Sequence, residues 1–129
     1  MYWLGKRRPY SVKIANPTTP AYNSAAMQND APLKTAQSCG SMAELRAAID
    51  VLDARLVALL AVRQAYIERA AQLKTGREQV RDPVRIEDVV AKVIAEGRKA
   101  GLSPDIAEPV WRTLIEASIA HEFEAFDKR

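Results

Sequence analysis

Ser41-Met42-Ala43-Glu44-Leu45-Arg46-Ala47-Ala48-Ile49-Asp50-Val51-Leu52-Asp53 is the stretch that decides the fold. Its first four residues read as a helix start. The Ser41 hydroxyl can accept from the Glu44 backbone N–H while Glu44 reaches back toward the cap. Apolar residues then recur at Leu45, Ile49, Leu52, Leu56, Leu59, Leu60, Tyr66 or Ile67, Ala70 and Leu73, a period near 3.6, and nothing breaks it before Gly76. Ala, Leu, Arg and Glu, which dominate the run, are good helix formers. The expectation is one helix over about 42–75, roughly 50 Å long at 1.5 Å per residue.

Two shorter helices follow from their punctuation. After a loop at 76–81, Asp82-Pro83 supplies an N-cap with proline in the first turn. Ile86, Val89, Val90, Val93 and Ile94 form a stripe, and Gly101 ends it. Ser103-Pro104 repeats the start signal ahead of Val110, Leu114, Ile115, Ile119, Phe123 and Phe126. Pro109 lacks the N–H that would bond Asp105, so a kink or a short first turn is expected there. No strand pattern occurs, and the fold class is all-α with three helices. A helix of this length cannot bury its whole apolar stripe in fewer than 100 structured residues. An antiparallel or intertwined partner is the economical solution, most simply a twofold homodimer.

Residues 1–40 differ from the rest. They hold Pro9, Pro17, Pro20 and Pro32 among many Ser, Thr, Asn and Ala, without helical period. The domain organisation expected is a flexible extension over 1–40 and a helical domain over 41–129. A partner-binding tail, or a start assigned upstream of a true one near Met42, are the other readings of the extension. No apolar run follows Lys6, Arg7 and Arg8, which argues against a secretory signal, and no run is long enough to span a bilayer.

The net charge of +3 invites a nucleic-acid reading. Its distribution argues against one. The first 40 residues carry five basic side chains against one acidic; residues 41–129 carry fourteen against fifteen. The main body has no surplus cation for phosphates. One cysteine, Cys39, and one histidine, His121, allow no disulfide within the chain and no Cys/His metal cluster. A reduced, cytoplasmic setting and no metal or cofactor are expected. His121 reads as a surface residue.

The informative residues are polar ones beside the stripes. Arg63 and Lys74, eleven residues apart, come within about 20° of eclipse on a helix and can converge on one ligand. Arg46 stands roughly 25 Å from Arg63 along the axis, so it could join them only from a second chain. Ser118 and Glu122 are i,i+4 neighbours on the third helix, Asp82 caps the second, and Arg85 sits beside Ile86. Taken singly, each has an ordinary explanation: arginines and lysines snorkel, aspartate caps, serine bonds back to its own helix.

Taken in order, they resemble the all-helical, AroQ-type chorismate mutases. That family shows L-R-x-x-I-D-x-L-D, here Leu45 to Asp53. A leucine-rich helix with an Arg follows, here Leu59 to Arg63, and a Lys eleven later, here Lys74. Then come D-x-x-R, here Asp82 to Arg85, G-L, here Gly101-Leu102, and I-x-x-S-x-x-x-Q, here Ile115 to Glu122. The resemblance covers residues 41–129 and none of 1–40. It implies a helical homodimer with two equivalent sites, each completed by one arginine of the partner. It also implies a small dicarboxylate substrate and a pericyclic reaction that needs no nucleophile, base or cofactor. In these terms Arg46 from the partner and Arg63 take the two carboxylates, and Lys74 bridges a carboxylate and the ether oxygen. Glu122 makes the second ether-oxygen contact, and Asp82, Arg85, Ile86 and Ser118 line the pocket.

Two positions depart from the family pattern. Glu122 stands where many members have Gln; a carboxylate can only accept, so it must carry a proton to help, and turnover is expected to improve in mild acid. Ile86 stands where a Glu often contacts the substrate's ring hydroxyl, which leaves Asp82 to do so. Isochorismate-pyruvate lyases share the fold and cations, lack that Glu, and have a comparably short 76–81 loop. They are the second reading, behind chorismate mutase. A non-catalytic helical dimerisation module is the third.

Overall fold

The computed structural model describes residues 32–129. Three α-helices carry the architecture: α1 (Met42–Leu73), α2 (Pro83–Ala100) and α3 (Pro104–Asp127), with short 3-10 turns at Ala36–Ser38 and Arg77–Gln79. Among the described residues there is no strand, and no helix is long and apolar enough to cross a membrane.

Each helix begins as its sequence dictates. The Ser41 hydroxyl accepts from the Glu44 N–H at 3.1 Å, Asp82 from the Arg85 N–H at 3.1 Å, and Ser103 from the Asp105 N–H at 3.2 Å. One expected detail differs. The Glu44 carboxylate does not return to the Ser41 N–H; it accepts from the Gly40 N–H and from Lys34, each at 2.8 Å. The lysine draws it one residue further out.

Residues 32–40, read from sequence as the end of the extension, thereby lie back on the start of α1. Leu33, Ala36 and Cys39 wall a small hollow with Leu45, Ile49 and Leu52. The remainder of the expected extension, residues 1–31, falls outside the described residues.

Gly101 ends α2 with φ +82°, a left-handed backbone that glycine adopts without steric cost. Its N–H reaches the Arg98 carbonyl and the Leu102 N–H reaches the Gly97 carbonyl, which closes the helix end. The tight turn sets α2 and α3 antiparallel. Pro109 neither ends nor splits α3, which runs through it; the proline costs the ladder one bond near the helix start.

The core lies at one end. Val80, Val90, Ile115 and Ile119 are buried, with Ile86, Val89, Ile94, Trp111, Phe123 and Phe126 packed around them. From α1 only Ala71 is fully buried. The α1 stripe between Ile49 and Leu60 stands in solvent instead: Ile49, Leu52, Leu56, Leu59 and Leu60 are each more than two-fifths exposed. Val110, expected in the α3 stripe, is exposed as well.

Candidate active site

The second half of α1 and α3 run in the same direction and are stitched by polar pairs. Arg63 Nη1 donates to Ser118 Oγ at 2.8 Å, Glu68 meets His121 at 2.7 Å, and Lys74 Nζ donates to Glu122 Oε1 at 2.6 Å. The helix ends at Leu73, two residues short of expectation. Lys74 is its extended C-cap, held by its N–H on the Ala70 carbonyl. Arg129 fastens the same point. Its guanidinium lies over the Phe126 ring and donates to the carbonyls of Ala71 and Lys74, a cation at a helix C-terminus.

Between α1, the 74–82 loop, α2 and α3 lies a cavity of about 370 Å³. Ile67, Ala70, Val80, Val89, Ile115 and Ile119 make its apolar walls. Arg63, Lys74, Asp82, Arg85, Ile86, Ser118 and Glu122 all line it, so the fold brings these sequence-selected residues together. Arg46 is not among them; it is exposed on the first half of α1.

The charges are unevenly answered. Glu122 is the one charged residue among the buried described residues, 4% exposed, and Lys74 neutralises it. Asp88 engages Arg85 at 2.6 Å on the solvent side. Arg63 has no carboxylate partner among the described residues and bonds only the neutral Ser118. Burial, and then the charge of Arg85, lowers the Arg63 pKa from its ordinary value, though a guanidinium stays cationic. Arg63, Lys74 and Arg85 line the cavity against the carboxylates of Asp82 and Glu122, which leaves the lining with one more cation than anions and lets it accommodate a negative charge.

A second hollow of about 420 Å³ adjoins the first across Arg63 and Ser118, walled by Val57, Leu60, Ala61, Ile67, Leu114 and Ala117. His121 also lines it, half-buried and paired with Glu68, to which Gln64 donates in turn. The expected surface histidine is thus a cross-link between α1 and α3. Its partner lies 53 residues away, beyond the reach of local pattern.

Sequence reading missed one polar residue of the main cavity, Gln79. It carries no charge and belongs to no stripe. The available signal was its place three residues after Gly76, from which a Gln side chain reaches back to the N–H groups that begin a turn.

The fold and the site define a small helical protein with an apolar-walled cavity whose lining carries a cationic excess. The chain belongs to the chorismate mutase type II family, which matches residues 45–123. It is also 25% identical, over 92 residues, to the isochorismate pyruvate lyase of Pseudomonas aeruginosa, covering 71% of this chain and 91% of that protein. No solved structure matches it.

Proposed function

We propose that the cavity binds chorismate and rearranges it to prephenate. The observation that carries this reading is the half-buried Arg63, short of a counter-charge, in one cavity with Arg85 and the Lys74–Glu122 pair. The rearrangement breaks one C–O bond and forms one C–C bond within a single molecule. No proton or electron enters or leaves. The protein has to hold the compact conformer and stabilise negative charge growing on the ether oxygen. Arg63 takes one carboxylate. Lys74 bridges a carboxylate and the ether oxygen, and Glu122, when protonated, donates to the same oxygen. Asp82 offers an acceptor to the ring hydroxyl, while Arg85, Ser118 and Ile86 close the pocket.

The second carboxylate calls for another cation, and we assign it to Arg46 of a second copy in a cytoplasmic homodimer. The bare α1 stripe and the apolar hollow beside Arg63 support this: a partner's long helix laid there fills the hollow and brings its arginine to the cavity. Each large apolar side chain so covered, already about half buried, contributes roughly half of the ~1.5–3 kcal/mol of full burial.

Ile86 favours a second reading. It puts no polar group where a ring hydroxyl could be gripped, and the relative named above is an isochorismate pyruvate lyase. The test is to give the protein chorismate and isochorismate separately and follow products at pH 5 and pH 7.5. Prephenate as the faster product, lost by about 10²–10³-fold in Lys74→Ala, is the expected result. Salicylate and pyruvate as the faster products would make it a lyase. Turnover of neither would leave a helical dimerisation module. Glu122→Gln supplies an amide N–H donor to the ether oxygen in place of the carboxyl and should retain turnover at pH 5 and pH 7.5, whereas an inactive variant would remove Glu122 from the donor role.

A further inference from the structure

Gln79 lines the active cavity from the loop between α1 and α2, and its amide oxygen is already used. Oε1 accepts from the Thr75 N–H at 2.9 Å, the Gly76 N–H at 3.4 Å and the Thr75 hydroxyl at 3.4 Å. A backbone N–H can only donate, so the atom facing it must be the carbonyl oxygen, and the amide can stand only one way round. What Gln79 has left is Nε2, with two N–H donors and no acceptor partner among the described residues.

The loop that presents it is held on both sides. Arg77 bonds Asp127 at 3.0 Å and lies over the Phe123 ring, and Arg81 forks onto Glu116 at 3.0 and 2.6 Å. A donor fixed before the ligand arrives loses little entropy on binding. Asp82, three residues on, lines the same cavity. One of its oxygens takes the Arg85 N–H at 3.1 Å, and the other is left as an acceptor.

We propose that Gln79 reads the substrate's ring hydroxyl, donating through Nε2 to the oxygen while Asp82 accepts the hydroxyl proton. The inference rests on the functional reading above and adds a specificity-determining residue to it. A hydroxyl both donates and accepts, so an oriented amide N–H and a carboxylate oxygen lining one cavity can answer both of its functions. A substrate carboxylate could use the amide but would be repelled by Asp82. The pair also answers the ring that Ile86 cannot grip.

The test uses the full chain, whichever of chorismate and isochorismate it turns over, and the analogue of that compound lacking the ring hydroxyl. Gln79→Glu keeps an oxygen for the Thr75 and Gly76 N–H groups and removes the donor; Gln79→Met removes the donor without adding charge. The quantity read is the ratio of kcat/KM for substrate over analogue within each protein, so a general loss of activity cancels. The expected result is a fall in that ratio of about 10-fold in both variants, carried by the hydroxylated compound and mainly in KM. A ratio unchanged in both, with the two compounds falling together or not at all, would overturn the assignment to the hydroxyl. A wild-type protein inert toward both natural substrates would overturn the functional reading itself, and this inference with it.

Discussion

The two halves of α1 have similar composition and opposite surroundings. From Arg63 onward the helix packs on α3, is cross-linked by three polar pairs and ends under the Arg129 cap. Before Arg63 it carries Ile49, Leu52, Leu56, Leu59 and Leu60 largely into solvent, with residues 33–39 lying along its start and Val57 and Leu60 edging the hollow beside α3. The spacing of Leu45, Ile49, Leu52, Leu56 and Leu59 alternates between four and three residues, the pattern of a helix that packs against another long helix. Among the described residues one half is stabilised by its own chain, whereas the other presents an apolar surface that the proposed second copy would cover. Arg46, the cation assigned to that copy's contribution under the proposal, sits on this half.

The contrast is broken most directly at Leu56. It is 49% exposed in the single chain, where Leu56→Glu would cost within about 0.5 kcal/mol as a surface substitution. In the proposed dimer the same change puts a charge into an apolar contact. The expected outcome is dissociation in sedimentation equilibrium, a lower Tm and loss of turnover together. A variant that keeps the wild-type mass and Tm would show that the bare stripe is not an interface.

Arg46→Ala sharpens the comparison without disturbing it. The dimer and its Tm should be unchanged while kcat/KM falls about 10²-fold or more, the scale of losing one charge contact made in the transition state. Arg63→Ala should fall similarly. Mixing the two inactive variants and allowing exchange should restore about a quarter of the wild-type rate. Half of the random dimers are mixed, and each mixed dimer rebuilds one of its two sites. No recovery on mixing, with exchange verified by mass, would place Arg46 and Arg63 in the same site of one chain or Arg46 in none.

The sequence made the caps, the stripes and the bare half of α1 legible because these are local. A hydroxyl or carboxylate before a helix, a period of 3.6 and a helix too long for its domain all show within a few turns. The pocket cations stood out because charge beside an apolar face is costly and therefore conspicuous. Three features were hidden. The His121–Glu68 pair depends on the register of α3 on α1, which a single helix does not reveal. Glu44 went to Gly40 and Lys34 because residues 32–40 fold back, although their composition reads as a linker. Gln79 is neutral and stands in a loop, where only the two N–H groups at the end of α1 give its side chain a direction.

The smallest expected effect tests the packed half, at the polar belt outside α2 and α3. Arg112 forks onto Glu87 at 3.0 Å for both contacts and also bonds Glu108 at 3.1 Å. The hydrogen bond from Arg112, and then its charge, holds the Glu87 pKa below its ordinary value. Glu116 is lowered in the same way by Arg81. A carboxylate whose folded pKa is depressed adds stability above its unfolded pKa and loses it as pH falls through the folded one. Arg112→Leu should therefore lower the denaturant midpoint slightly at pH 7 and not at all once the pH lies below both pKa values. The pairs are exposed, so added salt should shrink the difference at pH 7. A difference independent of both pH and salt would mean that Arg112 acts through the packing of its apolar stem and not through its charge. The α2–α3 end would then be held by apolar contact alone, and the contrast with the bare half of α1 would reduce to buried area.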